Sequence, residues 1–328
     1  MKVDISSPDT YVDDVAQSEK TTCAGRSFYD GQDSSTFHTN GTHLEVEIEP
    51  RLNVSGIAAE DVFHLGPFRI SDQAFIDTEY ARREGITRDS ECEIEGTVGF
   101  APSNIASAIV DSASPFLSLT DGGNLDANLF ALRLREPYEL DIGCVDEELF
   151  QGDLVCVPLR DDTVTIHGTN KWRTTADNLF VGSDPALHYV LNGLTVSFWT
   201  NSAYMCLPDM LVYDLIDSLG FEEMFTLPPS VNCDQRPYMP DITFNLEGKN
   251  FTLTPYDYTL DWNIPRGPRR CVTAILPIGM PEMDHGEIIL GSAFLRAFYA
   301  VFDLDSRTIG CELCCQILAA VVGTDVLT

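Results

Sequence analysis

Positive charge is what this chain has least of. Lys and Arg together number 20 against 51 Asp and Glu, a formal net charge of −31 over 328 residues. Binding to a phosphate backbone draws its affinity from basic side chains that displace counterions, so nucleic acid is excluded as a partner. The same repulsion argues against anionic membrane surfaces, and no run approaches the roughly 20 apolar residues of a spanning helix. Low-complexity segments are absent. No G-x-S-x-G signature points to a serine hydrolase. Cys311 and Cys314 make one CxxC spacing with no second one, and His38 and His43 stand in a polar turn, so no metal-ligand set is read.

A start suited to export is also missing: residues 1–10 have neither the basic region nor the apolar core of a signal peptide. Yet 10 cysteines and sequons at Asn40, Asn53 and Asn250 belong to an oxidising secretory compartment. Together these place the protein as secreted or lumenal, extracellular or endolysosomal, with its signal segment expected upstream of this chain.

The length fits two domains, each able to bury a core. Most of the chain reads as short strands between turn residues. His43 to Ile48 alternates, Thr163 to Ile166 is wholly β-branched, and Phe298 to Leu304 runs into Asp305-Ser306-Arg307. The expectation is a mainly β protein with few helices. One is predicted over Pro208 to Leu219, with Leu211, Leu215 and Leu219 at four-residue spacing and Gly220 as its stop, and a shorter one follows Gly291 through Arg296. A polar stretch from Arg160 to Trp172 sets the domain boundary, giving 1–165 and 166–328. Cys144 and Cys156 bracket a predicted hairpin over Gly143 to Val157 and would face each other across it.

Two long segments carry more. Pro240 to Leu260 (PDITFNLEGKNFTLTPYDYTL) and Glu287 to Gly310 (EIILGSAFLRAFYAVFDLDSRTIG) resemble, in order, two C-terminal blocks of the pepsin-like aspartic proteases. Ser34 to Phe37, Asn40 to Thr42, Gly96 to Gly99, Pro115 to Leu117 and Asp141 to Leu159 match the same family more loosely. The resemblance implies a bilobal acid-protease fold, two related β-barrel-like lobes with a few short helices, acting as a monomer without cofactor or metal. It also implies that Cys233 and Cys271 form the family's C-terminal disulfide. A coarse repeat agrees with two lobes, since Asp4 precedes Gly99 by nearly the spacing at which Trp199 precedes Gly291, and glycine permits the close backbone approach that each loop makes there.

Acid proteolysis in that family needs two carboxylates that share a proton, one activating water while the other polarises the carbonyl. Val3-Asp4-Ile5-Ser6-Ser7 lines up with the first active-site block, which puts Asp4 on the first catalytic position. Only three residues precede it, where the family has a few dozen, so the first lobe is expected to lack its first strands. In the second lobe, counting back from Leu207-Pro208 lands on Trp199, and residues 194–205 contain no Asp or Glu at all. The glycine that follows each catalytic Asp is Ser6 in one loop and Asn201 in the other. Ile5 replaces a threonine whose counterpart, Thr200, is kept. Thr200 and Asn201 are therefore candidates for lining the cleft. Ile48 to Gly56 stands where the family has its flap, with Glu49 nearest to the flap tyrosine and Asn53 as a glycan site at the tip.

Asp4 then reads as a relic, as a surface acid, or as a catalytic acid awaiting a partner. Trp199 reads as a core residue or as a recognition anchor, since Trp is favoured at binding hot spots. The first functional expectation is an inactive homologue that binds a peptide, protein or glycan in the old cleft. An alternative is an acid endopeptidase using Asp4 with another acid such as Glu49. A further one is an enzyme inhibitor or decoy on the same fold.

Overall fold

The structure is a computed structural model that describes residues 2–14, 28–49, 52–83, 96–102, 109, 113–160, 172–224, 227–262, 269–278 and 287–313. The chain divides into two units, Met1–Asp126 with Asp162–Trp172, and Ala127–Asp161 with Arg173–Thr328.

In the first unit β1 (Lys2–Asp4), β2 (Tyr11–Asp13), β3 (His38–Glu49), β4 (Leu52–Leu65), β5 (Phe68–Arg83) and β6 (Gly96–Gly99) form one sheet in the order β1-β6-β2-β5-β4-β3. β3, β4 and β5 are successive antiparallel neighbours, whereas β1 runs parallel to β6 and β2 parallel to β5. One face of this ribbon is apolar, with Val54, Ile76 and Tyr11 packed on Leu44, Val46 and Ile109. Helix α1 (Pro115–Asp121) starts at Ser114, whose hydroxyl accepts from Leu117 N, and proline fills its first turn. Seven residues are too few for a readable helical period, and the sequence did not announce α1.

The second unit holds β7 (Leu129–Arg133), β8 (Glu139–Ile142), β9 (Val155–Pro158), β10 (Arg173–Val181), β11 (His188–Phe198), β12 (Met205–Leu207), α2 (Asp209–Ser218), β13 (Glu222–Met224), β14 (Leu227–Asn232), β15 (Ile242–Leu246), β16 (Lys249–Leu253), β17 (Thr259–Trp262), β18 (Arg270–Thr273), β19 (Ile275–Pro277), β20 (Glu287–Leu290), α3 (Ser292–Leu295), β21 (Phe298–Asp303) and β22 (Thr308–Leu313). They build a seven-stranded sheet, β16-β15-β10-β11-β20-β12-β19, a four-stranded sheet, β13-β14-β18-β17, and a five-stranded sheet, β8-β7-β21-β22-β9. The core is aromatic: Phe294 touches Phe198, Phe244, Phe251 and Phe298, and Phe302 stacks on Phe130 of β7. α2 and α3 fall where expected, although α2 buries Val212, Leu215, Ile216 and, at its cap, Leu219, while Leu211 is only half-buried. That face follows the i, i+3, i+4, i+7 pattern of a helix rather than a strict four-residue step.

Two expectations need correction, for one reason. Residues 143–157 are not a hairpin: β8 pairs with β7, and β9 pairs with β22 at the other edge of the five-stranded sheet. Cys144 follows one edge strand and Cys156 lies on the other, four strand spacings of about 4.8 Å away. Both carry thiols rather than a shared disulfide. Because β7 and β9 hydrogen-bond to β21 and β22, residues 127–161 belong with the second unit, and the division does not follow the 165/166 cut. The Cys233–Cys271 disulfide implied by the family is formed. The strand expected at 163–166 lies outside the described residues.

Candidate functional site

Asp4 ends β1 opposite Gly99 of β6. Its side chain is fully buried, which removes the surface-acid reading. Oδ1 accepts from Ser6 N at 2.8 Å and from Ser6 Oγ at 2.6 Å. The serine that replaces the family's glycine thus ties the carboxylate to its own loop. The rest of the loop is buried too, through Ile5, Ser7, Asp9 and Thr10. Phe100 N donates to Asp4 O, Ala101 N to Ser7 O, and Gly99 N to Thr10 Oγ1. A Cβ on Gly99 would lie 2.4 Å from Pro8 O, so only glycine lets the strand pass.

The second unit repeats this arrangement without the acid. β11 and β20 are parallel, Phe198 lies opposite Leu290, and Trp199 N donates to Leu290 O. One step further along, Trp199 falls beside Gly291 as Asp4 falls beside Gly99. Ser292 N donates to Ser202 O and Ala293 N to Ala203 O, and a Cβ on Gly291 would lie 2.2 Å from Tyr204 O. The register therefore identifies Trp199 as the counterpart of Asp4 from strand pairing alone. Its indole is 6% exposed and packs on Ile278 and Ile289, with Cys206 beside them. The same burial pushes the Cys206 thiol up to about 11. Thr200 and Asn201 are half-buried in this loop.

Glu49 is the last residue of β3 and pairs with Leu52, the first of β4, so the described part of the segment read as the flap belongs to this antiparallel pair; the Glu49 side chain lies outside the described residues. Asn53 is half-buried on β4, the middle strand of the three, between Glu47 and Arg82. Asn40 and Asn250 are exposed. His43 Nε2 lies 3.4 Å from Glu79 Oε2 at the surface. Among the described residues, one group brings three candidate metal ligands together, Cys233, Asp261 and Cys271. Its two sulfurs are joined to each other, and Asp261 is held by Arg236 at 2.7 Å and Arg269 at 2.6 Å, so the donor set does not suit a cation.

A feature that sequence reading missed is the group of acids around β2, in which Asp77 is 6% exposed and pushed up to about 7, first by burial and then by Asp14, Glu79 and Asp30. The one visible signal was Asp13-Asp14 at the end of β2, directly after Tyr11 and Val12.

The family of eukaryotic aspartyl proteases matches residues 1–313. Vacuolar protease A of Aspergillus fumigatus is 29% identical over 288 residues, which cover 86% of this chain and 67% of that protein. Renin-2 of Mus musculus is 26% identical over 297 residues, 89% of this chain and 70% of its own length. Gastricsin of Oryctolagus cuniculus is 25% identical over 315 residues, 94% and 76%. With the family's profile running along nearly the whole chain and its doubled loop-and-glycine register present in both units, the chain belongs to the eukaryotic aspartyl protease family.

Proposed function

We propose that this chain keeps the architecture of an aspartic protease without its proton-sharing pair, and that it acts by binding a peptide, protein or glycan rather than by cleaving peptide bonds. The observation that supports this is the register of the second loop, where a buried tryptophan stands at the position equivalent to Asp4. An indole exchanges no proton in the acid range, and a single carboxylate cannot be base to the water and acid to the carbonyl at once. The remaining carboxylate has one oxygen occupied by its own serine. Relatives named vacuolar proteases, the cysteines and the sequons favour an acidic lumen or the cell exterior, where protonation of part of the acidic surface eases its self-repulsion.

The test is digestion of an unfolded protein between about pH 3 and 6, where such a dyad shares its proton, comparing the folded glycoprotein with Asp4→Asn. No cleavage by either is expected, alongside saturable binding to immobilised peptides or glycans. Cleavage by the native protein that disappears in Asp4→Asn would establish the endopeptidase reading instead.

A further inference from the structure

An outer strand of a sheet presents a row of backbone N–H and C=O groups to which a second chain can add. The four sheets end in β1 and β3, β16 and β19, β13 and β17, and β8 and β9. Short outer strands offer little to pair with, and β1, β8, β9, β13, β17 and β19 have three or four residues each. β3 has 12 and β16 has 5. These two longest edges carry the two exposed sequons, Asn40 on β3 and Asn250 on β16. The third sequon asparagine, Asn53, is half-buried on β4, which is paired on both sides.

Both exposed asparagines are held in a posture that suits modification. On β3, Thr39 pairs with Ala59 and His43 with Ile57, so Asn40, Gly41 and Thr42 bulge out opposite Ala58 alone. Thr39 Oγ1 fixes the base of the bulge by donating to Ala58 O at 2.6 Å, and Gly41, at φ +75°, has open space around it. Asn40 Oδ1 accepts from Thr42 N at 2.9 Å, which leaves its Nδ2 without a hydrogen bond among the described residues. On β16, Asn250 follows the Glu247-Gly248 turn, and its Oδ1 accepts from Asn245 Nδ2 at 2.6 Å across the β15–β16 pair. Thr252, the hydroxyl residue of that sequon, has its Oγ1 2.8 Å from Thr243 Oγ1. Phe251 and Leu253 are buried between these exposed residues and pin the strand. Attachment is a group transfer: Nδ2 bonds to C1 of an oligosaccharide carried on a lipid diphosphate, the amide gives up one proton, and the diphosphate leaves with the electrons of its C1–O bond.

Charge also guards an edge, but it is lost in acid. β3 carries Glu45, Glu47 and Glu49, and the charged residue of β16 is Lys249. The net charge of −31 that keeps copies apart at pH 7 falls towards zero near the sequence pI of about 4.2. A glycan keeps its bulk at any pH.

We propose that glycans on Asn40 and Asn250 are edge covers, each occupying the space in which a second copy of this chain would add a strand to β3 or β16. The proposal does not depend on whether the chain cleaves peptides.

The test uses the full chain secreted as a glycoprotein, with peptide mass spectrometry for occupancy and sedimentation velocity near pH 4.5 for association. Asn40 and Asn250 are both expected to carry glycan. In the double variant Asn40→Gln/Asn250→Gln, self-association is expected to tighten at least about tenfold, the worth of one or two net backbone hydrogen bonds. Native protein trimmed after folding to one sugar per site should do the same, and it decides the matter if the double variant fails to fold. Asn53→Gln is expected to associate no more than the native chain. Amide exchange in the associated form should slow in β3 or β16. An unglycosylated Asn40 or Asn250, a trimmed protein that stays as monomeric as the untrimmed one, equal association in Asn53→Gln, or slowed exchange confined to other strands would each overturn the proposal.

Discussion

Replacing Trp199 by alanine separates the two roles left open for this residue. The indole is 6% exposed and rests on Ile278 and Ile289. An aromatic side chain of this size buries about 150–250 Å², worth about 4–6 kcal/mol at 25 cal/mol per Å² as an upper bound. Alanine recovers part of that area, and tryptophan-to-alanine changes in cores cost about 3–5 kcal/mol once the cavity is included. The expected loss is therefore about 4 kcal/mol. Thr200→Ala, one residue along and half-buried, should lose less than about 1.5 kcal/mol. The assay is urea unfolding at pH 5 followed by circular dichroism, because removing one of only three tryptophans compromises fluorescence. A loss below about 1 kcal/mol in a protein with native circular dichroism would refute the packing argument. The indole would then be a side chain held available for a ligand, and a fall in ligand affinity for the same variant would complete that reversal.

Four other perturbations follow from the same contacts. Replacing Cys233 and Cys271 with alanine opens a cross-link between positions 38 residues apart, for which loop-closure entropy gives about 4 kcal/mol, readable as a lowered urea midpoint. Gly99→Ala and Gly291→Ala place a methyl within 2.4 Å and 2.2 Å of a backbone carbonyl oxygen, so each should abolish soluble, protease-resistant protein, whereas Gly41→Ala, with open space around its Cβ but a φ of +75°, should cost about 1–2 kcal/mol and still yield folded protein. Burial pushes the Asp61 carboxyl up, but donors from Thr36, Tyr29, Ser34 and Val62 outweigh it and hold the group below the usual carboxylate range. Its contribution is thus present above about pH 4 and lost as pH falls through the depressed value; Asp61→Asn should cost about 1.5–3 kcal/mol at pH 5, with the gap closing near pH 2. Asp4→Asn keeps an oxygen for Ser6 N and Oγ and should match the native urea midpoint, while Asp4→Ala leaves both donors without it and should lose about 1–3 kcal/mol.

The landmarks of the second loop that sequence offers are local. The string ending in Leu207-Pro208 fixed Trp199 by counting, and the parallel pairing of β11 with β20 places it at the same step. The disulfide was legible only through the family, since spacing does not choose partners. What stayed hidden depends on which strands meet. Spacing made Gly143 to Val157 look like a hairpin, but its two ends join opposite edges of a sheet whose central strand, β21, comes much later in the chain. Asp14 and Asp77 are likewise brought together by a parallel pair, β2 with β5, after the β3–β4–β5 antiparallel run has intervened. Propensity and periodicity describe a strand and do not name its neighbour.

A second loop with tryptophan at this step is compatible with the fold because both loops are held by backbone hydrogen bonds. Each is held by backbone donors from the residues that follow its glycine: Phe100 and Ala101 in one unit, Ser292 and Ala293 in the other. In the second loop an indole supplies apolar burial where a carboxylate would have required hydrogen-bond partners to offset its desolvation. In the first loop Ser6 adds its hydroxyl to the backbone N–H that any residue there would donate to the Asp4 carboxylate. The two changes are therefore coherent in direction. One leaves the second loop without an acid at this step, and the other gives Asp4 a hydroxyl donor from its own loop. On the proposed reading, Ser6 is a substitution to be read together with Trp199 rather than an independent departure from the family.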